Sequence, residues 1–116
     1  MAISAGDGSI WSSEALAHQW YVVAEATDVD RGPVGVRLLG NAYVLWRAQD
    51  GTLTAAPDRC PHREAPLSLG RVEHGCLVCP YHGWTFDQGG RCVAVPSSGA
   101  GATIAPASDL RTLPIR

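Results

Sequence analysis

Residues 60–62 read Cys-Pro-His and residues 79–82 read Cys-Pro-Tyr-His, and no other feature restricts the fold of this chain as much. Each segment carries one thiol and one imidazole, and sixteen residues separate His62 from Cys79. Pro61, Pro80 and Gly83 place both segments on loops. Thiolate suits zinc and iron–sulfur centres, and imidazole binds iron and zinc well. A chain that uses all four groups at one centre must bring two distant loops to the same end of its fold. Three readings are open. In the plainest, the cysteines and histidines have separate packing roles. A Cys₂His₂ zinc site is the second, although zinc sites usually pair like with like along the chain. In the third, a two-iron cluster takes Cys60 and Cys79 on one iron and His62 and His82 on the other, which uses the mixed loops directly.

The remaining sequence must supply a scaffold for two loops, and its grain is β. Residues 1–10 are rich in Gly and Ser and are expected to be loose or draped over the domain. Ser12 or Ser13 is placed to cap a short helix ending near His18. Residues 19–24 (QWYVVA) read as a strand. Residues 34–40 and 42–47 flank Gly40-Asn41 as a hairpin, and Asp50-Gly51 leads into a further strand at 53–57. Strands are also expected at 76–79, 84–87, 91–95 and 109–115, with a turn at Gln88-Gly89-Gly90 and a long loop over 96–108. Short strands separated by turns, with little helical periodicity, indicate an all-β, antiparallel sandwich or small barrel.

Composition excludes several classes. A chain of 116 residues predicts one domain, 1–116. Its net charge of −2 offers nucleic acid no electrostatic footprint. No window approaches the roughly 18–20 apolar residues of a membrane span. The first residues show neither the basic nor the apolar stretch of a secretory signal. Four cysteines in such a chain point to a reducing compartment, the cytoplasm, where metal or redox chemistry is expected before disulfides.

Cys60-Pro-His62-Arg63 and Cys79-Pro-Tyr-His82-Gly-Trp84 resemble the cluster loops of Rieske [2Fe–2S] proteins. The resemblance is closest to the N-terminal domain of ring-hydroxylating and O-demethylating oxygenase large subunits. It runs from about Trp20 to Pro96 and more weakly to Ile115, with support from Trp20–Ala24, Leu38-Leu39-Gly40, Pro66–Gly70 and Trp84–Cys92. It implies a three-sheet antiparallel Rieske fold with a cluster-binding subdomain at one end, about residues 57–86. It also implies a Rieske-type [2Fe–2S] cluster on Cys60, His62, Cys79 and His82, and one-electron transfer with no catalytic residue in this chain. Respiratory members of the family carry a further cysteine in each loop, at the positions of Ala65 and Tyr81 here, so their disulfide cannot form. Their hydrogen-bonding serine is replaced by Trp84. Fewer donors to the sulfurs place the expected potential nearer about −150 than +300 mV. The family's exposed imidazoles further imply a midpoint that falls as pH rises.

The other cysteines, Cys76 and Cys92, read as small core residues. His18 and His74 read as surface residues, and Arg59, Arg63, Glu64, Arg71 and Glu73 as a mainly solvated face with some role in partner docking. The oxygen-activating iron of the resembling oxygenases needs two histidines and a carboxylate. Outside the cluster loops only His18 and His74 remain, so no such site is expected here. The expected partners are a reductase or ferredoxin as electron donor and an oxygenase catalytic domain or subunit as acceptor, within a homotrimer where the chain is part of an oxygenase. A free-standing Rieske ferredoxin is the alternative favoured by length, and a zinc-binding structural module is the remote one.

Overall fold

The computed structural model of the chain describes residues 1–4, 20–61, 65–81, 83–96 and 108–115. The helix expected before His18 lies outside these residues, as does most of the 96–108 loop. Among the described residues, nine strands fall into three antiparallel sheets. The smallest pairs β1 (Ala2–Ile3) with β2 (Tyr21–Val22). The second is a meander of β3 (Val34–Leu38), β4 (Asn41–Arg47) and β5 (Leu53–Pro57). The third runs in sequence order through β6 (Arg71–Glu73), β7 (Cys76–Val78), β8 (Thr85–Phe86) and β9 (Cys92–Ala94). Two short 3₁₀ turns complete the described elements, η1 (Ala26–Arg31) and η2 (Leu67–Leu69). The all-β antiparallel expectation holds.

Strand β4 explains how so short a chain fills two cores. Its sequence, Ala-Tyr-Val-Leu-Trp, is a continuous apolar run rather than an alternating one, as expected of a strand buried on both faces. Val44 and Trp46 enter one core with Ala56, Leu67, Leu77 and Phe86. Tyr43 and Leu45 point the other way, into a second core with Ile3, Val29, Leu38 and Ala55. The central sheet is therefore a wall between two apolar clusters, the simple result of period-2 side-chain alternation.

The turns refine the expected boundaries. The first hairpin turns at Leu39-Gly40, one residue earlier than expected, with Leu38 opposite Asn41. Both turn residues have positive φ, 51° and 88°, as a two-residue type I′ turn requires, which leaves Asn41 free to start β4. The same device recurs at His74 and Gly75, φ 51° and 76°, between β6 and β7. Strand β6 was not expected, because Arg-Val-Glu is short and largely charged, as suits an exposed sheet edge. The strand expected over 109–115 is instead irregular, holding two single bridges, Ala55 to Leu113 and Ile3 to Ile115. Pro114 has no amide to continue a ladder.

Candidate metal centre

The first loop leaves the end of β5. The Asp58 amide still donates to the Ala42 carbonyl at 3.0 Å, so the central sheet holds the chain up to two residues before Cys60. Cys60 then turns inward and is fully buried. Its amide donates to the carbonyl of Ala65 at 2.8 Å. The second loop joins β7 to β8 and repeats this arrangement. Cys79 is 1% exposed, and its amide donates to the carbonyl of Trp84, also at 2.8 Å. In each loop, then, the cysteine amide bonds a carbonyl five residues on. Gly83, at φ 74°, turns the second loop, and its amide donates back to the Cys79 carbonyl at 3.3 Å.

Cys60 and Cys79 belong to the same buried cluster, together with Trp46, Leu67, Leu77 and Phe86. Neither is in a disulfide. Two thiols at the roots of two loops, in one apolar core, suit a soft metal centre. The indole N–H of Trp46, in that same core, is buried without a hydrogen-bond partner among the described residues. His62 and His82, the expected imidazole ligands, lie outside the described residues, as do Arg63 and Glu64. Of the expected set, the structure describes the two cysteines, both buried in one cluster, and does not describe the histidines.

The other expectations divide. Cys92 is 3% exposed in the same core, and its thiol donates weakly to the Ala94 carbonyl at 3.7 Å. Burial pushes that thiol's pKa up. Cys76 departs from expectation: it is half-buried at the start of β7, opposite Glu73, because it follows directly on the exposed turn. His74 is exposed in its turn, and His18 lies outside the described residues. Arg59, Arg71 and Glu73 are exposed, and Arg71 pairs with Glu73 at 2.5 Å, a hydrogen bond that lowers the Glu73 pKa. One feature was not anticipated. Both carboxylate oxygens of Asp58 are engaged by Ser68, and Gly35 lies beneath them. A glycine inside the Val-Gly-Val strand was the available signal, since it marks close approach of another part of the chain.

Residues 19–114 match the model of the Rieske [2Fe–2S] domain. The oxygenase component of dicamba O-demethylase from Stenotrophomonas maltophilia is 45% identical over 101 residues, 86% of this chain and 29% of that protein. A putative toluene-4-sulfonate monooxygenase system iron–sulfur subunit from Comamonas testosteroni is 43% identical over 100 residues, 86% of this chain and 28% of that one. Chloroplastic pheophorbide a oxygenase from Oryza sativa subsp. japonica is 42% identical over 98 residues, 82% of this chain and 18% of that one. The chain thus spans less than a third of the length of each of these relatives. The crystal structure of dicamba monooxygenase with non-heme iron and dicamba superposes with a TM-score of 0.75 at 40% identity, covering 83% of this chain and 29% of that one. Fold and relatives agree: the chain belongs to the Rieske [2Fe–2S] domain family and is similar to the Rieske domains of oxygenase components.

Proposed function

We propose that this chain carries single electrons for a non-haem iron oxygenase of the aromatic-substrate type, with Cys60 and Cys79 holding one iron of a [2Fe–2S] cluster and His62 and His82 the other. The observation that carries the reading is the burial of Cys60 and Cys79 in one core, each at the root of a loop closed by its own amide. Bound there, the cluster supplies a one-electron couple whose potential depends on charge and hydrogen bonds around it. The chain's own residues do the rest. Leu67, Leu77 and Phe86 exclude water from the thiol side. The Cys60 and Cys79 amides hold the loop backbones in shape. Pro61, Pro80 and Tyr81 are exposed at the loop tips, Tyr81 by 71%, so the face beyond the thiols is open to a partner.

The whole of 1–116 acts as one domain in this reading, with the cluster-bearing part at about 57–86. Its donor is a reductase or ferredoxin, and its acceptor is the catalytic domain or subunit of an oxygenase, in a homotrimer. Support comes from relatives named as an oxygenase component and as the iron–sulfur subunit of a monooxygenase system. No helix among the described residues is long and apolar enough to cross a membrane. Four cysteines outside disulfides suit a reducing compartment such as the cytoplasm.

The test is spectroscopic. Purified protein should be red-brown, carry two irons per chain and, once reduced, give the low-average-g electron spin resonance signal of mixed Cys/His ligation. Its midpoint should lie nearer about −150 than +300 mV. A colourless protein holding one zinc per chain would overturn the reading. So would an intact mixed-ligand spectrum in His62→Ala or His82→Ala.

A further inference from the structure

The first ligand loop is bridged across its base. Asp58 precedes Cys60 by two residues, and Ser68 lies in η2, beyond the far end of the loop. The Ser68 amide donates to Asp58 Oδ1 at 2.7 Å, and the Ser68 hydroxyl donates to Oδ2 at 2.6 Å. One carboxylate thus accepts from both donors of one serine, a two-point contact that fixes orientation as well as distance. Both residues are half-buried, which protects the pair from competition by water.

Two glycines show that this contact is built into the fold. A Cβ on Gly35 of β3 would lie 2.8 Å from Ser68 Oγ and 3.3 Å from Asp58 Oδ2. Its backbone has no positive φ, so what glycine provides there is room. Immediately after η2, a Cβ on Gly70 would lie 2.0 Å from the Val78 carbonyl oxygen and 3.2 Å from Pro80 Cδ, the residues on either side of Cys79. Just before these contacts, Leu67 of η2 is fully buried in the core that holds both thiols. The short 3₁₀ turn therefore touches the root of the first loop through Ser68 and the root of the second through Gly70.

We propose that η2 is a brace between the two ligand loops, and that the Asp58–Ser68 pair is the positioning clamp that locks it, so that the Cys60 and Cys79 thiols are set at their mutual spacing by the protein. The proposal rests on the ligand assignment above. Asp58 and Ser68 are positioning residues: they act on cluster retention through the backbone of the Cys60 loop.

The experiment compares iron release from the purified, cluster-loaded chain to a ferrous chelator under reducing conditions in Ser68→Ala, Asp58→Asn, Gly35→Ala and Thr54→Val, with thermal midpoints measured alongside. Gly35→Ala crowds the clamp without removing a hydrogen-bonding group. Thr54→Val removes a part-buried hydrogen bond, to the Gln88 carbonyl at 2.9 Å, that touches neither loop. Ser68→Ala and Gly35→Ala should release iron about tenfold faster or more, the scale of a lost hydrogen bond to a charged group. Asp58→Asn, which keeps a carbonyl acceptor for the Ser68 amide, should fall between them and the unaltered chain. Thr54→Val should lower the thermal midpoint while leaving release near the unaltered rate. Unchanged release in Ser68→Ala overturns the clamp, and so does equal acceleration in Thr54→Val, which would reflect general loosening. If the unaltered chain holds no [2Fe–2S] cluster, the ligand assignment fails and the clamp is judged by hydrogen exchange in the metal-free chain. There, Ser68→Ala should speed exchange of the Cys60 amide about tenfold with the β4 amides unchanged, and equal Cys60 protection overturns it.

Discussion

Four cysteines of one chemical type have three different environments, and the environments predict their behaviour. Cys60 and Cys79 sit at loop roots, Cys92 packs in mid-core, and Cys76 is half-buried beside a turn. Cys60→Ser or Cys79→Ser should yield metal-poor protein with loosened loops, because ligation and loop order are coupled. Cys76→Ala and Cys92→Ala should keep the colour and two irons per chain, as read by absorbance and iron analysis. Cys92 also makes a pH prediction. Burial raises its pKa above the unfolded value of about 8.5, so the neutral thiol is the form the fold tolerates. Above that pH the unfolded chain binds fewer protons than the folded one, and stability falls as pH rises. Its contribution is complete below about pH 8.5 and declines above it. The denaturation midpoint should therefore drop as pH rises above about 8.5, less steeply in Cys92→Ala, which starts lower by about 1 kcal/mol from lost packing. Sequence alone conveyed most of this scale. Paired loops and packing cysteines are visible in residue spacing, whereas the exposure of Cys76 depends on a turn geometry that spacing does not record.

Among the elements, two turns of one type differ in what surrounds them. Leu39 and His74 both hold a left-handed conformation that costs an ordinary L-residue roughly 1–2 kcal/mol. Leu39 is also 40% exposed, so Leu39→Asn should stabilise the chain by about 1 kcal/mol, seen as a higher urea midpoint with an unchanged slope. Their glycine partners separate more sharply. A Cβ on Gly40 meets nothing within 4 Å among the described residues, so Gly40→Ala carries the backbone cost. A Cβ on Gly75 would lie 2.1 Å from the Gln49 amide nitrogen, backbone that cannot swing aside. Gly75→Ala should cost clearly more than Gly40→Ala in the same urea titration, and equal losses would contradict the packing described. The first two hairpins were legible because Gly40 and Gly51 punctuate apolar runs. Strand β6 and turn η1 were not. The first is three residues of edge strand with two charges, and the second, Ala-Thr-Asp-Val-Asp-Arg, shows no apolar period and is started by its own Asp28, whose carboxylate accepts the Glu25 amide at 2.9 Å.

At the scale of the molecule, the two cores are unequal. One contains both proposed thiolate ligands and is closed by the short strands β7 and β8; the other contains none and rests on β3, β4 and β5. Removing iron should therefore loosen the structure unevenly. By hydrogen exchange, the Leu77 and Phe86 amides should lose protection by tenfold or more in metal-free protein, the scale expected when a bound metal contributes to folding. Amides between β3 and β4 should change little. Uniform loss across both sheets would show instead a single cooperative unit. Nothing in the sequence announced this division except the unbroken apolar run of β4, which could equally have been a helix segment.

That run has a consequence beyond burial. Adjacent residues of β4 never share a core: Val44 faces the thiols and Leu45 faces away. A change in volume at Leu45 can reach Cys60 only by displacing the strand itself, and a displaced strand carries Val44 and Trp46 with it. Drift in the outer core is thus felt at the metal-binding side as a change of position rather than of contact. Substitutions that compensate for one another should accordingly appear as next-door neighbours along β4, pairs whose side chains never touch.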